Sequence, residues 1–361
     1  MKNFLLKEFH KGEKFVNNKL NIKLISMEDV IKSGCCNIGE TIKVIEEVLL
    51  DYKKGFVILP DKISQVFNQQ TQDRINCMPS TLLNDGVCGI KWVSVFPQNP
   101  YKFSSQNVSG IIILSEINQG YPIAVMDGTL ITALRTACMG AIGAKYLARK
   151  DSHIYSTIGT GEQAKAHFIA IKEIFPQIDT CFVSSRTIES EEKFIKMMSK
   201  KYSDVNFVSC KSDYDKAAKN ADILITAVSC QKPLLKAESL KEGTFYCHVG
   251  GWEDEYKVPK KASKIVCDDW HSLKHRGSPT IARMYKEGLL QDSDIYANIV
   301  DIIDGTKKGR EHNKEICYFN SIGLSFVDVK VAYNLYKKMN KLCKDWTMQE
   351  TDLTDALEKI I

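Results

Sequence analysis

Residues 153–164, HIYSTIGTGEQA, decide the fold class of this chain. The apolar run 153–158 has the composition of a strand, GTGEQA has the form GxGxxA, and a helix-like segment follows as far as Phe175. In such a loop the first glycine permits a tight turn, the second lets a phosphate approach the backbone, and the small third residue lets helix pack on strand. The sequence therefore predicts a dinucleotide-binding loop formed by Gly159, Thr160, Gly161, Glu162, Gln163 and Ala164.

Strands and helices alternate beyond this loop. Apolar strand-like runs lie at 180–184, 206–209, 222–228, 244–249 and 264–267, with helical patterns at 189–200 and 214–220 between them. This alternation indicates βαβ units and a parallel, doubly wound sheet. We predict an α/β chain with a Rossmann domain at residues 149–324.

The flanking residues have a different pattern. A helical spacing at 39–55 precedes strand-like runs at 56–59, 89–95, 110–114 and 121–126, and a long helix is predicted over 130–149. An amphipathic helix is predicted at 327–339. We therefore expect a second, α+β domain of residues 1–148 that residues 325–361 complete, with the Rossmann domain inserted in it.

The second strand of the Rossmann pattern ends in Ser184-Ser185-Arg186-Thr187. An acidic residue at this point would accept a hydrogen bond from the ribose 2′-hydroxyl of NAD, and none is present. An arginine with hydroxyls can hold a 2′-phosphate instead. Ser185 and Arg186 therefore favour NADP over NAD, although Arg186 stacked on the adenine or lying in solvent is the alternative.

Long cations occur in three apolar contexts. Lys91 lies in the strand-like GIKWV, Arg135 lies in the helical TALRTA, and Lys62 follows the turn at Leu59-Pro60-Asp61. Such cations often place only their stems on apolar surface and their charges in water. A group of them facing a cofactor would instead bind a substrate carboxylate.

An acidic segment, GGWEDE at 250–255, follows the strand-like run that ends at Val249. Ligands bind beyond the carboxyl ends of strands in open α/β sheets, so Glu253 is a candidate general base. A solvated acidic loop is the alternative. His248, at the end of the same run, is more typical of a packed core histidine.

Composition excludes several classes of protein. The chain has 361 residues, is 44% hydrophobic, and carries 49 basic and 44 acidic side chains with no basic stripe, so we expect no nucleic-acid partner. No apolar run approaches the ~20 residues of a membrane span, and the N-terminus lacks a secretory apolar core, so we expect a cytoplasmic protein without membrane contact. The 12 cysteines are scattered without a CxxC pair, which predicts reduced thiols and no metal site.

Taken together, these stretches resemble the ornithine cyclodeaminase/μ-crystallin family over nearly the whole chain. The residues that carry the resemblance are Met78-Pro79, Gly89–Val93, Asn99-Pro100, Tyr121-Pro122, Thr132–Ala137, Gly159–Ala164, Val249-Gly250-Gly251 and Asn320–Gly323. Each motif alone is unspecific, whereas their order and spacing are specific.

The resemblance implies a homodimer whose α+β domain binds the substrate and forms the dimer contact. It implies an enzyme that oxidises or reduces the Cα–N bond of an amino or imino acid with a nicotinamide. Lys91 and Arg135 match the family's carboxylate-binding residues, and Lys62 matches a basic position with a similar role. Besides the glycine loop, Ser185 and Arg186, the expected cofactor contacts are Thr136, Val228 and Ser321.

Four stretches (109–114, 121–126, 268–270 and 309–311) resemble one branch of the family. Members of that branch oxidatively hydrolyse N-(2-amino-2-carboxyethyl)-L-glutamate to 2,3-diaminopropionate and 2-oxoglutarate for siderophore biosynthesis. Cyclodeaminases carry an aspartate at the position where this chain has Trp252. The acid of this chain, Glu253, lies one residue later, and this difference favours the dehydrogenase branch. Ser185-Arg186 resembles NADPH-dependent ketimine reductases instead. Ornithine cyclodeaminase, ketimine reductase and a non-catalytic ligand carrier therefore remain alternatives.

Overall fold

The computed structural model describes residues 19–339 and 344–349, whose strands form two eight-stranded sheets. The first sheet consists of β1 (Lys19–Ile25), β2 (Val57–Ile58), β3 (Ile63–Asn68), β4 (Asp73–Leu82), β5 (Val87–Val95), β6 (Val108–Glu116), β7 (Pro122–Asp127) and β16 (Lys344–Gln349). The second consists of β8 (Ile154–Ile158), β9 (Thr180–Ser184), β10 (Asn206–Ser209), β11 (Ile223–Thr226), β12 (Phe245–His248), β13 (Lys264–Cys267), β14 (Ala297–Asn298) and β15 (Cys317–Asn320).

Twelve α-helices connect or cover these strands in the described part of the chain. They are α1 (Met27–Lys32), α2 (Ile38–Lys53), α3 (Asn99–Lys102), α4 (Thr129–Leu147), α5 (Glu162–Ile174), α6 (Ile188–Met198), α7 (Tyr214–Asn220), α8 (Lys257–Lys261), α9 (Trp270–Leu273), α10 (Thr280–Lys286), α11 (Ile299–Ile303) and α12 (Ser325–Lys338). None of the helices within residues 19–339 is long and apolar enough to span a bilayer.

The second sheet is parallel throughout, in the order β10-β9-β8-β11-β12-β15-β13-β14. This is the doubly wound α/β arrangement that the alternating sequence pattern predicts, and the predicted fold class is confirmed. The carboxyl ends of all eight strands lie at one edge of the sheet, since every pair is parallel. β15 enters between β12 and β13, a position that the sequence did not predict.

The first sheet is mostly antiparallel, in the order β16-β1-β7-β6-β5-β4-β2, with β3 paired to β4. The sequence predicted β2, β5, β6 and β7 and missed β1, β3, β4 and β16. In β4 the buried positions are Asn76, Met78, Ser80 and Leu82. Two polar side chains among these inward positions hide the apolar alternation that marks a half-buried strand.

Helix α4 packs against both sheets. A Cβ on Gly140 would lie 2.7 Å from the His167 ring on α5, and one on Gly143 would lie 2.5 Å from the Phe319 ring on β15. Both positions therefore require glycine for this close packing. The predicted division at residues 148/149 and 324/325 remains a prediction, and residues 1–18, 340–343 and 350–361 of the flanking domain lie outside the described residues.

Candidate active site

Lys91 and Arg135 meet at a buried carboxylate. Lys91 lies on β5 and is 1% exposed, Arg135 lies on α4, and both contact Asp328 of α12. The Lys91 Nζ–Asp328 Oδ2 distance is 2.7 Å, and the Arg135 Nε donates to Asp328 Oδ1 at 2.8 Å. Burial and the Arg135 charge lower the pKa of Lys91 to about 8, while Asp328 opposes this shift. The sequence missed Asp328, which occupies an otherwise ordinary helical position.

The guanidinium of Arg135 continues past Asp328 to the edge of the parallel sheet. A Cβ on Gly323, whose φ is +79°, would lie 2.5 Å from Arg135 Nη1 and 2.9 Å from Nη2. Gly323 follows β15, so Arg135 lies at the carboxyl ends of the parallel strands. Asp268 holds this turn in place by accepting hydrogen bonds from the backbone amides of Ile322 and Gly323 at 2.8 and 2.9 Å.

Ser321 is part of the same turn. Its hydroxyl donates to Asp268 Oδ2 at 3.0 Å, and burial raises the pKa of Asp268 to about 6. Thr136, one residue after Arg135 on α4, donates its hydroxyl to the Thr132 carbonyl at 2.7 Å. These predicted cofactor contacts therefore have protein partners of their own, and their contact with a nicotinamide remains a prediction.

Lys62 lines a cavity of about 340 Å³ between the two sheets. The walls come from four parts of the chain, namely residues 59–62, Met78 of β4, residues 271, 272, 275 and 276, and residues 323–325. Burial lowers the pKa of Lys62 to about 7, helped by the charges of Arg276, Arg74 and Lys91. The structure therefore brings all three predicted cations into one region, and it adds Arg74 and Arg276, which the sequence missed.

Glu253 does not face this cavity. It is fully buried, and its carboxylate accepts hydrogen bonds from Thr226 Oγ1 at 2.7 Å and from the amides of Val228, Val249 and Gly250 at 2.7, 3.2 and 2.8 Å. Three of these donors reach Oε2 and the Val228 amide reaches Oε1, so protein donors rather than solvent surround the carboxylate. This environment does not favour the predicted role of general base, which stays a prediction, and in the structure Glu253 links the carboxyl ends of β11 and β12.

The glycine loop has the geometry that the sequence predicted. Gly159 has φ +112°, and a Cβ there would lie 2.6 Å from the Ala227 carbonyl and 3.0 Å from Val228 Cγ1. Only glycine fits this turn. Val228 thus lies beside the loop, at the end of β11.

The N-terminus of α5 is open. Among the residues that the structure describes, no atom lies within 4 Å of a Cβ built on Gly161, and no side chain caps the helix there. Thr160 is half-buried, Glu162 pairs with Lys165 at 2.6 Å, and Ala164 is fully buried. Free amides at the start of a 13-residue helix, beneath open space, fit a dinucleotide pyrophosphate. The Gln163 side-chain oxygen is buried without a partner in the described residues.

The end of β9 is organised by a glutamate that the sequence missed. Glu191 of α6 is fully buried and accepts hydrogen bonds from the Ser185 amide, the Ser209 hydroxyl and two further backbone amides. Arg186 donates to the Tyr101 hydroxyl at 2.9 Å, with its guanidinium 5.2 Å from the Tyr101 ring centre. Glu191, which contacts the Ser185 amide at the predicted ribose site, is thus already engaged, and Arg186 bridges to α3.

Comparisons with known proteins agree with this architecture. The model of the ornithine cyclodeaminase/mu-crystallin family matches residues 23–342. An alanine dehydrogenase of Archaeoglobus fulgidus is 33% identical over 89% of this chain and 96% of its own. An N-((2S)-2-amino-2-carboxyethyl)-L-glutamate dehydrogenase of Staphylococcus aureus is 30% identical over 75% of this chain and 80% of its own.

Two solved structures have the same fold. The Thermococcus litoralis Delta(1)-pyrroline-2-carboxylate reductase, in complex with NADH and L-proline, superposes with a TM-score of 0.82 at 31% identity, covering 88% of this chain and 97% of its own. An archaeal alanine dehydrogenase dimer with bound NAD gives a TM-score of 0.82 at 30% identity, covering 91% of this chain and 99% of its own.

Proposed function

We propose, from the premise that this chain belongs to the ornithine cyclodeaminase/mu-crystallin family, that it oxidises the Cα–N bond of an N-substituted amino acid. Its relatives are nicotinamide-dependent oxidoreductases and cyclodeaminases. One observation carries the proposal: Arg135 touches Gly323 beyond β15, and the glycine loop follows β8 at the same edge of the sheet. The cation that we propose to bind the substrate carboxylate thus shares an edge with the predicted dinucleotide loop.

N-(2-amino-2-carboxyethyl)-L-glutamate is the substrate that we propose. The reaction consumes it with water and NAD(P)⁺ and gives 2,3-diaminopropionate, 2-oxoglutarate, NAD(P)H and a proton. The nicotinamide, when bound, supplies the redox chemistry by accepting two electrons and the Cα hydrogen. The resulting imine is then hydrolysed by water.

The protein positions the reacting carbon. Lys91 and Arg135 bind the carboxylate on Cα, and their shared partner Asp328 fixes both cations. Such positioning supplies several kcal/mol of barrier reduction. Lys62 lines the cavity and has a pKa of about 7, so it is the group that we propose to exchange protons with the hydrolytic water.

We further propose that NADP is the preferred cofactor. Ser185 and Arg186 stand where an acid would bind an unmodified ribose, and Glu191 is occupied by backbone amides. Replacement of Arg186 by glutamine should weaken NADPH binding by about tenfold, because a charge-assisted contact is lost, and change NADH binding little. Fluorescence titration measures the affinities for NADPH and NADH. An equal loss of affinity for the two cofactors in the variant would rule the preference for NADP out.

The deciding assay follows reduced nicotinamide by absorbance with N-(2-amino-2-carboxyethyl)-L-glutamate and NAD⁺ or NADP⁺, and it measures 2-oxoglutarate separately. Formation of reduced nicotinamide and 2-oxoglutarate in equal amounts supports the proposal. A ketimine reductase is the second candidate, because of the likeness to the Thermococcus enzyme. Oxidation of NAD(P)H with Delta(1)-pyrroline-2-carboxylate, without any reaction of N-(2-amino-2-carboxyethyl)-L-glutamate, would favour it. Conversion of ornithine to proline and ammonia without net cofactor change would identify a cyclodeaminase. No turnover in any arm contradicts all three.

A further inference from the structure

Lys62 and Arg276, which line the cavity, and Arg74 beside them form no ion pair with any described carboxylate. Lys91 and Arg135 share Asp328, whereas Lys62, Arg74 and Arg276 take part in none of the ion pairs found among residues 19–339. They come from separate parts of the fold: Lys62 from the loop between β2 and β3, Arg74 from β4, and Arg276 from the segment after α9. Only the tertiary structure brings them together.

These cations are close enough to repel one another. The pKa of Arg74 is lowered by burial and by the charge of Arg276. Of the neighbouring charged groups, Arg276 lowers the pKa of Lys62 the most. The carboxylates of Asp61, Asp268 and Asp269 favour the charged form of Arg276 but do not offset the effect of its burial. Like charges held together without a direct counterion cost free energy, which an anionic ligand would recover.

Arg276 also has an unused donor. Its Nε is buried and has no hydrogen-bond partner in the described part of the chain. Arg74 uses Nη1 on the Gln72 carbonyl at 2.8 Å, a contact that neutralises no charge. A buried donor without a partner is costly, so an acceptor is expected to occupy this space when the site is filled.

We propose that Arg74 and Arg276 form a second carboxylate-binding subsite beside Lys62, and that the substrate is therefore an amino acid carrying at least two carboxylates. This rests on the proposed function, because it takes the first carboxylate to lie on Lys91 and Arg135. Arg276 lines the cavity, and Gly323 separates that cavity from Arg135. One substrate can therefore contact both groups of cations.

The test compares two oxo acids of equal carbon number. Calorimetric titration of the full-length protein, with NADP⁺ present, is carried out with the dicarboxylate 2-oxoglutarate and the monocarboxylate 2-oxopentanoate. We expect about tenfold or tighter binding of 2-oxoglutarate, since a second charged contact contributes on that scale. Arg276→Gln and Arg74→Gln should each remove most of this preference while leaving 2-oxopentanoate affinity unchanged.

Lys286→Gln is the matched control, because Lys286 is an exposed cation on α10 that does not line the cavity. It should keep the preference. Equal affinity of the unmodified protein for both acids overturns the subsite, even if either arginine variant fails to fold. Equal affinity together with turnover of N-(2-amino-2-carboxyethyl)-L-glutamate would leave the proposed function standing. A preference that Arg276→Gln abolishes, in a protein without turnover, would keep the subsite and overturn the function.

Discussion

Arg135 binds Asp328 through Nε and places its other two nitrogens beside Gly323. Replacement by alanine would leave the fully buried Asp328 with Lys91 as its remaining cation and would lower stability. A loss of activity in that variant could then come from unfolding as well as from lost catalysis. Lysine keeps the charge but lacks the planar fork that holds a carboxylate with two bonds. The conservative substitution is therefore the informative one.

We expect Arg135→Lys to lower kcat/KM by about 100-fold, the scale of roughly 2–3 kcal/mol for a charged contact. Thermal unfolding should change little. Steady-state kinetics measures the first quantity and calorimetry the second. Arg149→Lys makes the same change at an ion pair with Asp222, outside the cavity lining, and should leave kcat/KM unaltered. Unchanged kinetics in Arg135→Lys would remove Arg135 from the site.

Lys62 makes the stability of the free protein depend on pH. Its pKa is about 7 in the folded protein and near the ordinary 10.5 after unfolding, so the unfolded chain binds more protons between these values. Stability should therefore rise from pH 7 towards 10. The charged or titratable groups around Lys62 are Arg74, Lys91, Arg276, Asp61, His271 and His275.

Lys62→Met should reduce that rise by about 1–2 kcal/mol, a figure discounted for partial exposure. Thermal unfolding of both proteins at pH 7 and pH 9 measures it. Lys91, whose pKa is about 8, contributes with the same sign in both proteins and cancels in the comparison. If stability changes equally with pH in the two proteins, the pKa of Lys62 is not lowered in the folded protein.

At the scale of elements, Glu253 links the carboxyl ends of β11 and β12 through four hydrogen bonds. Glu253→Gln replaces one acceptor oxygen with a donor group that would face amide donors. We expect a loss of about 2–4 kcal/mol in the free energy of unfolding, because buried donors lose their partners. Denaturant unfolding checks the prediction.

The kinetics of the same variant separate the two roles of Glu253. Where the variant is folded, kcat should fall by less than about tenfold, whereas loss of a general base would cost about 100-fold or more. Glu255→Gln, two residues further along the same segment, is the control. A large loss of kcat with unchanged stability would restore Glu253 as a catalyst.

At the scale of the whole molecule, the first sheet has an exposed apolar row on the face opposite Lys91. Ile63 pairs with Cys77, Cys77 with Trp92, and Trp92 with Ile111, so the row crosses four strands. Ile63, Trp92 and Ile111 are 62%, 42% and 44% exposed. A contiguous apolar patch of this kind is typical of a protein–protein interface. We propose that it forms the homodimer contact.

Trp92→Glu should prevent the proposed dimer from forming, because a charge would be buried against apolar partner surface. Sedimentation velocity at several protein concentrations measures the change. Ile188→Glu places the same charge at a similarly exposed apolar position, 45% exposed, on α6, and should leave the assembly intact. A Trp92→Glu protein that stays dimeric would place the interface elsewhere.

Sequence patterns alone predict the parallel α/β sheet, the glycine loop and three of the cations, because periodicity and the glycine conformations depend on residues near each other in the chain. They could not determine charge environments, which depend on distances between residues far apart in sequence. Tertiary structure alone placed Asp328 against Lys91 and Arg135, buried Glu253 beneath four donors, and gathered Arg74 and Arg276 around Lys62. The chemistry of the cavity is therefore a product of packing.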